Sequence, residues 1–238
     1  MKFQSLFITG TDTAVGKTTV ACAVAAAVSQ AGLRVGVLKP VETGCPEYDG
    51  VLEPEDARRL LYFADCRLEL RTVCPYALRD PLAPLVAAAR EDLVLDVDRL
   101  LRSYREIAAA HDLTLIEGAG GLLVPILPDF TFADLALRLD VPIIVVVASR
   151  LGAINHALLT VRYARSLGLR VLGYVVNFLS LEPDLAARTN LEVLADWLGP
   201  ALGVVPYLGT VHQTEADRQR LAAVGRTAVR IDDLLVPV

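Results

Sequence analysis

The sequence predicts an α/β protein in which a mostly parallel sheet carries helices on both faces. Apolar segments of strand length alternate with segments of helix length along nearly the whole chain. The strand candidates are unbroken apolar runs, as parallel strands buried on both faces usually are. Glycine follows two of the helix candidates, at Gly32 and Gly168, where helices commonly end. Since the 238 residues contain no internal repeat or linker, we expect one domain spanning 1–238.

The first half of the chain predicts three strands and three helices around a loop at 40–53 that is rich in Gly, Pro, Glu and Asp. Pro54, Glu55 and Asp56 begin the second of these helices, because proline and acidic side chains are favoured in a first helical turn. The strands are Phe3–Thr9, Leu33–Leu38 and Leu113–Ile116, and the other two helices are Lys17–Ala31 and Leu93–Ala110.

The second half continues the alternation, and it contains the strongest strand candidate, Val141–Ala148. The last thirty residues predict one further helix and a closing segment at Val229–Leu235. The remaining helices are Thr131–Leu139, Asn155–Leu167 and Pro183–Leu198, and the remaining strands are Leu169–Val176 and Leu202–Val205.

Composition and charge exclude several classes of function. A net charge of −5 without a basic cluster argues against nucleic acid as the main partner. The longest apolar run, Val141–Ala148, is far shorter than the roughly 20 residues of a membrane helix. The apolar stretch at the N-terminus is too short for a signal-peptide core, so we expect a soluble, cytoplasmic protein. The cysteines form no C-x-x-C pair or zinc-like spacing and are expected as free thiols: Cys22, Cys45, Cys66 and Cys74.

Side chains with chemical function follow the predicted strands. Parallel sheets bind ligands at the carboxyl ends of their strands, so these residues are expected to meet at one edge. Lys17 is the exception, since it lies one loop further on, at the start of a helix. The residues that directly follow a predicted strand are Lys39, Glu117, Ser149 with Arg150, Asn177, and Pro206 with Tyr207.

The segment Gly10-Thr-Asp-Thr-Ala-Val-Gly-Lys-Thr18 predicts a phosphate-binding loop of a P-loop NTPase-like fold. Small residues allow backbone N–H groups to surround a phosphate, and the helix that follows adds the positive end of its dipole. Lys17 would reach the β- and γ-phosphates, and the Thr18 hydroxyl would hold Mg²⁺. The first glycine stands one residue early, since the usual spacing would place it at Thr11. The loop residues assigned to ATP are Thr13, Ala14, Val15, Gly16, Lys17, Thr18 and Thr19.

Lysine is scarce in this chain, and two of its three lysines lie where phosphate chemistry needs a cation. The three are Lys2, Lys17 and Lys39, so 20 of the 23 basic residues are arginine. A compact ammonium differs from a planar guanidinium in reach and in hydrogen-bond geometry, which favours a specific need for lysine at positions 17 and 39. Genomic base composition would explain the scarcity but not these two positions. Lys2 has no such context and is expected on the surface.

Two acidic residues are candidates for the Mg²⁺ that phosphoryl transfer requires. Glu117 follows an apolar run, and the small residues from Gly118 to Gly121 leave its carboxylate open to approach. The alternative for Glu117 is a solvated acid at a strand end. Asp56 could instead only favour the dipole at the start of its helix. The predicted metal set is Thr18, Asp56 and Glu117.

Several motifs in a fixed order resemble the ATP-dependent dethiobiotin synthetase family. The principal ones are G-T-D-T-A-V-G-K-T at 10–18, V-L-K-P-V-E-T-G at 37–44 and E-G-A-G-G at 117–121. T-F-A-D at 131–134, L-G-A-I-N-H at 151–156 and V-V-N at 175–177 match as well. The resemblance covers nearly the full length and is weakest in 65–110 and after about 210.

The resemblance implies an enzyme that closes a cyclic urea in biotin biosynthesis. In this family 7,8-diaminononanoate takes up CO₂ as a carbamate, ATP phosphorylates the carbamate, and the second amine attacks to release phosphate. These intermediates are anionic, so fixed cations and Mg²⁺ suit the chemistry better than a nucleophilic side chain. The implied catalytic residues are Lys39, as the main residue at the carbamate and γ-phosphate, and Lys17.

The resemblance also implies binding residues at three further places. Thr13 and Thr43 would contact the diamine or its carbamate, and Gly118, Ala119 and Gly120 would adjoin the nucleotide beside Glu117. The substrate carboxylate would bind a helix start contributed by the neighbouring subunit of a homodimer, formed by Arg150, Leu151, Gly152, Ala153 and Asn155. The adenine pocket would comprise Asn177, Pro206, Tyr207 and Leu208, with Gln213 at its edge.

Two residues depart from the family pattern. Ala14 stands where relatives often carry glutamate, and Phe178 replaces a second polar residue after Asn177. Neither departure affects the lysines or the metal set. Two arginine-rich pieces, Arg58 with Arg59 and Arg102–Arg105, are interpreted as solvated helix faces.

Two other functions are weighed against the synthetase. Switch ATPases of the chromosome-partition or cell-division type share this fold, but they carry an extra lysine early in the loop, where this chain has Gly10 to Thr13. They also use basic surfaces or an amphipathic C-terminal helix, which the sequence does not indicate. A cobyrinate-amidating synthetase would need an additional glutaminase domain, for which 238 residues leave no room.

Overall fold

Strands and helices alternate through residues 5–229, the part of the chain that the computed structural model describes. The strands are β1 (Ser5–Gly10), β2 (Val35–Leu38), β3 (Val41–Thr43), β4 (Glu47–Tyr48), β5 (Val51–Leu52), β6 (Tyr76–Leu78), β7 (Leu113–Gly121), β8 (Pro125–Leu127), β9 (Phe130–Thr131), β10 (Ile143–Ala148), β11 (Val171–Asn177) and β12 (Gly203–Val205). The helices are α1 (Lys17–Gln30), α2 (Glu55–Ala64), α3 (Leu70–Val73), α4 (Pro84–Arg90), α5 (Val97–Ala110), α6 (Phe132–Leu139), α7 (Ala153–Ser166), α8 (Leu185–Leu198) and α9 (Glu215–Ala228).

Six parallel strands form the central sheet in the spatial order β12-β11-β10-β1-β7-β2. The chain places β2 and β7 on one side of β1 and then adds β10, β11 and β12 on the other, so the strand order reverses beside the loop that follows β1. Ligands of open α/β sheets bind at the carboxyl ends of the strands near such a reversal. The predicted phosphate loop therefore lies where the topology favours a ligand.

Both faces of the sheet are buried, which explains the unbroken apolar runs. In β1, Leu6 and Ile8 pack into the core on one face, while Phe7 between them packs into the core on the other. The first core contains α1, α2 and α9, and the second contains α5, α6, α7 and α8. Because side chains alternate between faces, each central strand needs apolar residues at every position. The prediction of an α/β sheet covered on both faces is confirmed.

Helix α1 lies at the centre of the first layer, and alanines make up much of its length. Its neighbour α9 comes so near that a Cβ placed on Gly225 would lie 2.2 Å from the carbonyl oxygen of Ala23. Small side chains permit this close approach and leave no space between the helices. The tightly held α1 fixes the loop that precedes it.

Several predicted boundaries were wrong, for reasons of tertiary contact. The predicted loop at 40–53 contains three short strands, of which β3 pairs with β6 from a distant part of the chain. Glu117 does not follow a strand but lies within β7, which continues to Gly121 beside β1. The helix predicted from Leu93 begins at Val97, because the Asp96 side chain accepts a hydrogen bond from the Asp98 N–H and caps it there.

The region between α2 and α5 contains three elements without a sequence prediction, α3, β6 and α4. Of these, β6 pairs with β3, α3 contacts β2, and α4 contacts β3, β6 and β8. The described residues do not include Lys2, Phe3, Gln4 or most of the predicted closing segment Val229–Leu235. None of the helices in 5–229 has the length and apolar character that a membrane crossing requires.

Candidate active site

The loop between β1 and α1 is held in one conformation by its own backbone and by Asn177. Gly16 adopts a φ of 90° directly before α1, and Ala14 adopts a positive φ of 53°. The Asn177 side-chain N–H donates to the Val15 carbonyl oxygen at 2.9 Å. A Cβ on Gly16 would lie 2.0 Å from the Asn177 amide nitrogen, so this position requires glycine for space as well as for φ.

Lys17 folds back across this loop. Its Nζ donates to the Asp12 carbonyl oxygen at 2.8 Å, while the Asp12 carboxylate pairs with the Arg150 guanidinium at 2.7 Å. The ammonium is almost fully buried, and burial together with the charge of Lys39 lowers the pKa of Lys17 to about 8. An incoming phosphate would favour the charged ammonium, so Lys17 is well suited to bind an anion.

A buried cluster of charges lies beside the loop, just after β2, within β7 and at the start of α2. Lys39 Nζ donates to Glu117 Oε1 at 2.6 Å and to Asp56 Oδ2 at 2.9 Å. Thr18 Oγ1 donates to the same Glu117 oxygen at 2.8 Å. Lys39 is 2% exposed and Glu117 is 1% exposed. The predicted metal residues and the predicted catalytic lysine therefore meet in one place.

The charges in this cluster adjust one another's pKa. Burial would lower the pKa of Lys39, but Glu117, Asp56 and Glu42 outweigh it, so the pKa is raised and the ammonium is retained. Burial raises the pKa of Asp56, yet the Lys39 charge and hydrogen bond reverse that effect and lower it. For Glu117 burial prevails over Lys39, and its pKa is raised. A further cation beside Glu117 would favour its ionised form, which burial disfavours.

The chemistry of these residues fits a Mg²⁺ ion. The second carboxylate oxygen of Glu117, Oε2, is buried and has no hydrogen-bond partner among residues 5–229. Mg²⁺ commonly takes one or two protein carboxylates and completes its shell with phosphate oxygens and water. Thr18, Asp56 and Glu117 supply such a partial set. Within 5–229 no cluster of three or more His, Cys, Asp or Glu side chains forms a complete metal cage.

The sequence analysis missed Glu42, which lies buried in β3. Its two carboxylate oxygens accept hydrogen bonds from the Asp56 N–H at 2.9 Å and the Ala57 N–H at 3.0 Å, so Glu42 caps α2 from another element. Burial raises the pKa of Glu42 to about 7. One signal was available: Pro54 precedes the helix and has no side chain that could cap it. A helix start without its own cap indicates a cap from elsewhere.

The interpretation of Arg58 and Arg59 together as a solvated helix face was wrong for Arg59. Arg58 pairs with Glu53 at the surface. Arg59 forms part of the cavity wall and has a buried Nε–H, and α2 packs with α1 in one core.

The loop and the charge cluster enclose a cavity of about 430 Å³. Most of the predicted nucleotide and metal residues line it, together with Glu42, Thr43 and Arg59. The lining residues are Thr13, Ala14, Gly16, Lys17, Thr18, Thr19, Lys39, Glu42, Thr43, Asp56, Arg59, Glu117, Ala119, Gly120, Asn177 and Leu179.

Other predicted site residues lie outside this cavity. Val15 is buried beneath the loop, and a Cβ on Gly118 would contact the Phe7 ring at 3.1 Å, so both positions adjoin the core. The residues predicted for adenine lie in the segment after β12, where Tyr207 is exposed: Pro206, Tyr207, Leu208 and Gln213. The residues predicted for the substrate carboxylate lie at the start of α7: Arg150, Leu151, Gly152, Ala153 and Asn155.

A second cavity, of about 580 Å³, lies on the other side of the loop and is mainly apolar. Leu159 and Tyr163 of α7 line it and are exposed, as is Leu123 from the segment between β7 and β8. We call these three residues the α7 apolar face. Leu151, close by at the start of α7, is 84% exposed. Exposed apolar side chains that cluster around a cavity favour a surface that another molecule covers.

Comparisons with known proteins agree on the family. A family model described as "AAA domain" matches residues 4–215. The chain is 38% identical over 239 residues to ATP-dependent dethiobiotin synthetase BioD of Thermodesulfovibrio yellowstonii, covering 96% of this chain and 95% of that protein. It is 36% identical over 214 residues to the protein of the same name from Bacillus licheniformis, covering 89% of each.

Solved structures show the same fold at low identity. The MinC:MinD cell division protein complex of Aquifex aeolicus matches with a TM-score of 0.57 and 16% identity, covering 99% of this chain and 98% of that chain. MinD of Aquifex aeolicus matches with a TM-score of 0.56 and 16% identity, covering 99% of each. At this identity the likeness concerns the fold alone.

Proposed function

This chain belongs to the ATP-dependent dethiobiotin synthetase family and is an ATP-dependent ligase of biotin biosynthesis, and we propose that it acts through a phosphorylated carbamate. One amine of 7,8-diaminononanoate adds to CO₂ and loses a proton, which gives a carbamate. A carbamate oxygen attacks the γ-phosphorus of ATP, and ADP leaves. The second amine then attacks the carbonyl carbon of this mixed anhydride, loses its proton, and phosphate departs as the cyclic urea closes.

The observation that carries this proposal is the buried Lys39 ammonium beside the phosphate loop. Its raised pKa keeps it charged, and its partners Glu117 and Asp56 hold it at the cavity wall. The carbamate, the transferring phosphoryl group and the anhydride are all anionic at this point. A fixed cation in a site with little water stabilises such charge more strongly than it would in solution. Lys39 would therefore contact the carbamate and the γ-phosphate, with Thr43 beside it.

Lys17 and the loop backbone would hold the ATP phosphates. The Lys17 ammonium lies across the loop within reach of any anion seated there, and the N-terminus of α1 adds its positive dipole end. Thr18, Asp56 and Glu117 would hold Mg²⁺, which on binding would neutralise charge on the β- and γ-phosphates. The unpartnered Glu117 Oε2 supports this assignment. Asn177 borders the same cavity and would face the base, with Pro206, Tyr207, Leu208 and Gln213 beyond it.

We place the substrate carboxylate at the start of α7, in a homodimer. Gly152 precedes α7 and its N–H groups, and Arg150 adds a cation on the same exposed surface. The α7 apolar face beside it would be covered by the second subunit, with the apolar chain of the diamine between them. This arrangement explains why exposed leucines surround a cavity in a single chain.

The test is an assay of ADP, phosphate and dethiobiotin formed by the purified protein with Mg-ATP and 7,8-diaminononanoate, with and without bicarbonate. We expect one ADP and one phosphate for each dethiobiotin, and little ATP turnover when either the diamine or bicarbonate is omitted. ATP hydrolysis that ignores both and responds instead to DNA or lipid vesicles would refute the synthetase mechanism and favour a switch ATPase.

A further inference from the structure

Arg59 is a cation in the wall of the nucleotide cavity, and its side chain forms no hydrogen bond with residues 5–229. Its Nε–H is buried and lacks a hydrogen-bond partner within the described residues. The other cations of the cavity are engaged, since Lys17 donates to the Asp12 carbonyl and Lys39 pairs with Asp56 and Glu117. An N–H group that is removed from water without a partner costs free energy, which a ligand atom would recover.

The position of Arg59 on α2 places it in the same cavity as the phosphate loop. Arg59 follows Asp56 by three residues, so both lie on the same side of the helix. Helix α2 packs with α1 in one core, and Thr18 and Thr19 in the first turn of α1 line the cavity together with Arg59. Arg59 therefore shares this cavity with the residues predicted to hold the ATP phosphates.

We propose that Arg59 is a nucleotide-binding residue that donates its guanidinium N–H groups to the phosphate chain of bound ATP. A guanidinium presents parallel N–H groups that match two oxygens of one phosphate, and it stays charged at every accessible pH. We take the polyphosphate as the occupant, because Gly16, Lys17 and Thr18 of the phosphate loop line the cavity that Arg59 lines. This inference rests on the proposed function only in taking ATP as the ligand.

A structural role for Arg59 is the alternative, since its charge helps to lower the pKa of Asp56. If Arg59 only positioned Asp56, its removal would affect nucleotide binding through Mg²⁺. If Arg59 contacts phosphate, its removal weakens nucleotide binding with or without Mg²⁺. Binding measurements in Mg²⁺ and in EDTA therefore separate the two roles.

The experiment compares Arg59→Gln, Arg59→Lys and the neighbouring surface control Arg58→Gln by calorimetric titration of the full chain with ATP. We expect Arg59→Gln to raise the Kd for ATP about tenfold or more in both Mg²⁺ and EDTA, the loss of a charge-assisted hydrogen bond. The Kd of Arg59→Lys should lie between those of Arg59→Gln and the wild type, since lysine keeps the charge but lacks the forked guanidinium. Arg58→Gln should bind as the wild type does. Thermal unfolding without nucleotide checks that each variant is folded.

Two outcomes would overturn the inference. One is a Kd for Arg59→Gln within twofold of the wild type in both conditions, and the other is a loss confined to the Mg²⁺ titration. If Arg59→Gln does not fold, the Arg59→Lys titration decides on the same terms. Dethiobiotin assays keep the two proposals apart: a wild type that makes none, yet binds ATP through Arg59, refutes only the proposed function. Equal ATP KM values for active wild type and Arg59→Gln refute only the inference.

Discussion

The two cavities at the carboxyl edge of the sheet differ in how their side chains are satisfied. In the first, the Lys39 ammonium pairs with the carboxylates of both Asp56 and Glu117, although Lys39 and Glu117 are almost inaccessible to water. In the second, the leucines of the α7 apolar face lie open, with Leu159 61% exposed. The first cavity is assembled within one chain, whereas the second has apolar surface that the described part of this chain does not cover.

The first cavity requires precise geometry, and the second does not. Buried charges are tolerated only with close partners in fixed geometry, so the first cavity uses strand ends and helix starts that the core holds in place. An apolar surface needs only to be covered, and a second subunit can do that without exact geometry. We therefore expect substitutions in the first cavity to impair chemistry, and substitutions on the α7 apolar face to impair assembly and diamine binding.

The largest effect is expected from Lys39→Arg. The variant keeps the charge but places a planar fork where a compact ammonium bridges Glu117 and Asp56. We expect kcat to fall about a hundredfold or more, as when an electrostatic donor to a transition state is lost. Steady-state kinetics with a thermal-unfolding control measures this. Near-normal turnover in a folded Lys39→Arg protein would remove Lys39 from the mechanism.

A smaller and different effect is expected from Leu159→Glu on the α7 apolar face. The side chain is exposed in one chain, so folding should be unaffected, but a carboxylate would be buried against the second subunit. We expect a dimer to become a monomer by sedimentation, and KM for the diamine to rise about tenfold, with ATP binding unchanged. Leu137→Glu, an exposed position near the end of α6 that does not line the second cavity, should leave both the dimer and the KM for the diamine unchanged. A dimeric Leu159→Glu protein would place the interface elsewhere.

The sequence predicts those parts of the two cavities whose contacts are local in sequence better than those that depend on contacts between distant elements. Lys17 and Thr18 were predicted correctly as parts of a strand-loop-helix unit, because that unit is local in sequence. Glu117 was predicted beside the loop because carboxyl ends of parallel strands share one edge. That prediction holds although Glu117 lies inside β7, since the register places it opposite Ile8, close to the end of β1.

The residues that sequence reasoning missed act across elements. Glu42 caps a helix that begins thirteen residues later, and only the pairing of β3 with β6 brings it there. Arg58 and Arg59 are neighbours in sequence, but α2 packs with α1 in one core, and only Arg59 lines the cavity and has a buried Nε–H. The packing angle of two helices and the course of a short strand are tertiary properties, and local patterns do not specify them.

A third prediction concerns Glu42 and tests whether the first cavity depends on exact geometry. The pKa of Glu42 is raised to about 7 in the folded state, so the folded protein binds this proton more tightly than the unfolded chain does. The free energy of unfolding therefore falls as pH rises from about 4.5 to about 7. Glu42→Gln should therefore gain stability relative to the wild type across that window, on the order of 2 kcal/mol. Chemical denaturation at several pH values measures the difference.

The same variant should weaken the placement of Asp56, whose N–H Glu42 binds. We expect the Mg²⁺ concentration for half-maximal activity to rise about threefold, since a glutamine amide caps a helix less well than a carboxylate. Glu55→Gln, at the exposed first position of α2, is the matched control and should leave the Mg²⁺ requirement unchanged. An unchanged requirement in Glu42→Gln would mean that Asp56 is held without its help.

The smallest effect is proton uptake on ATP binding, and it distinguishes the two lysines of the first cavity. The pKa of Lys17 is lowered to about 8 in the free protein, so at pH 8.5 a good part of Lys17 is neutral, whereas Lys39 is held charged by its carboxylates. Phosphate would restore the Lys17 ammonium, so binding should take up a fraction of one proton and weaken as pH rises above about 8.

Calorimetric titrations at pH 8.5 in two buffers of different ionisation enthalpy measure this uptake. The phosphates of ATP are already deprotonated at that pH, so they contribute little to it. Lys17→Arg provides the matched control, because a guanidinium stays charged and should abolish the uptake even if binding weakens. Equal uptake in the wild type and in Lys17→Arg would assign the proton to another group, and the contrast between a proton-sensitive Lys17 and a permanently charged Lys39 would fail.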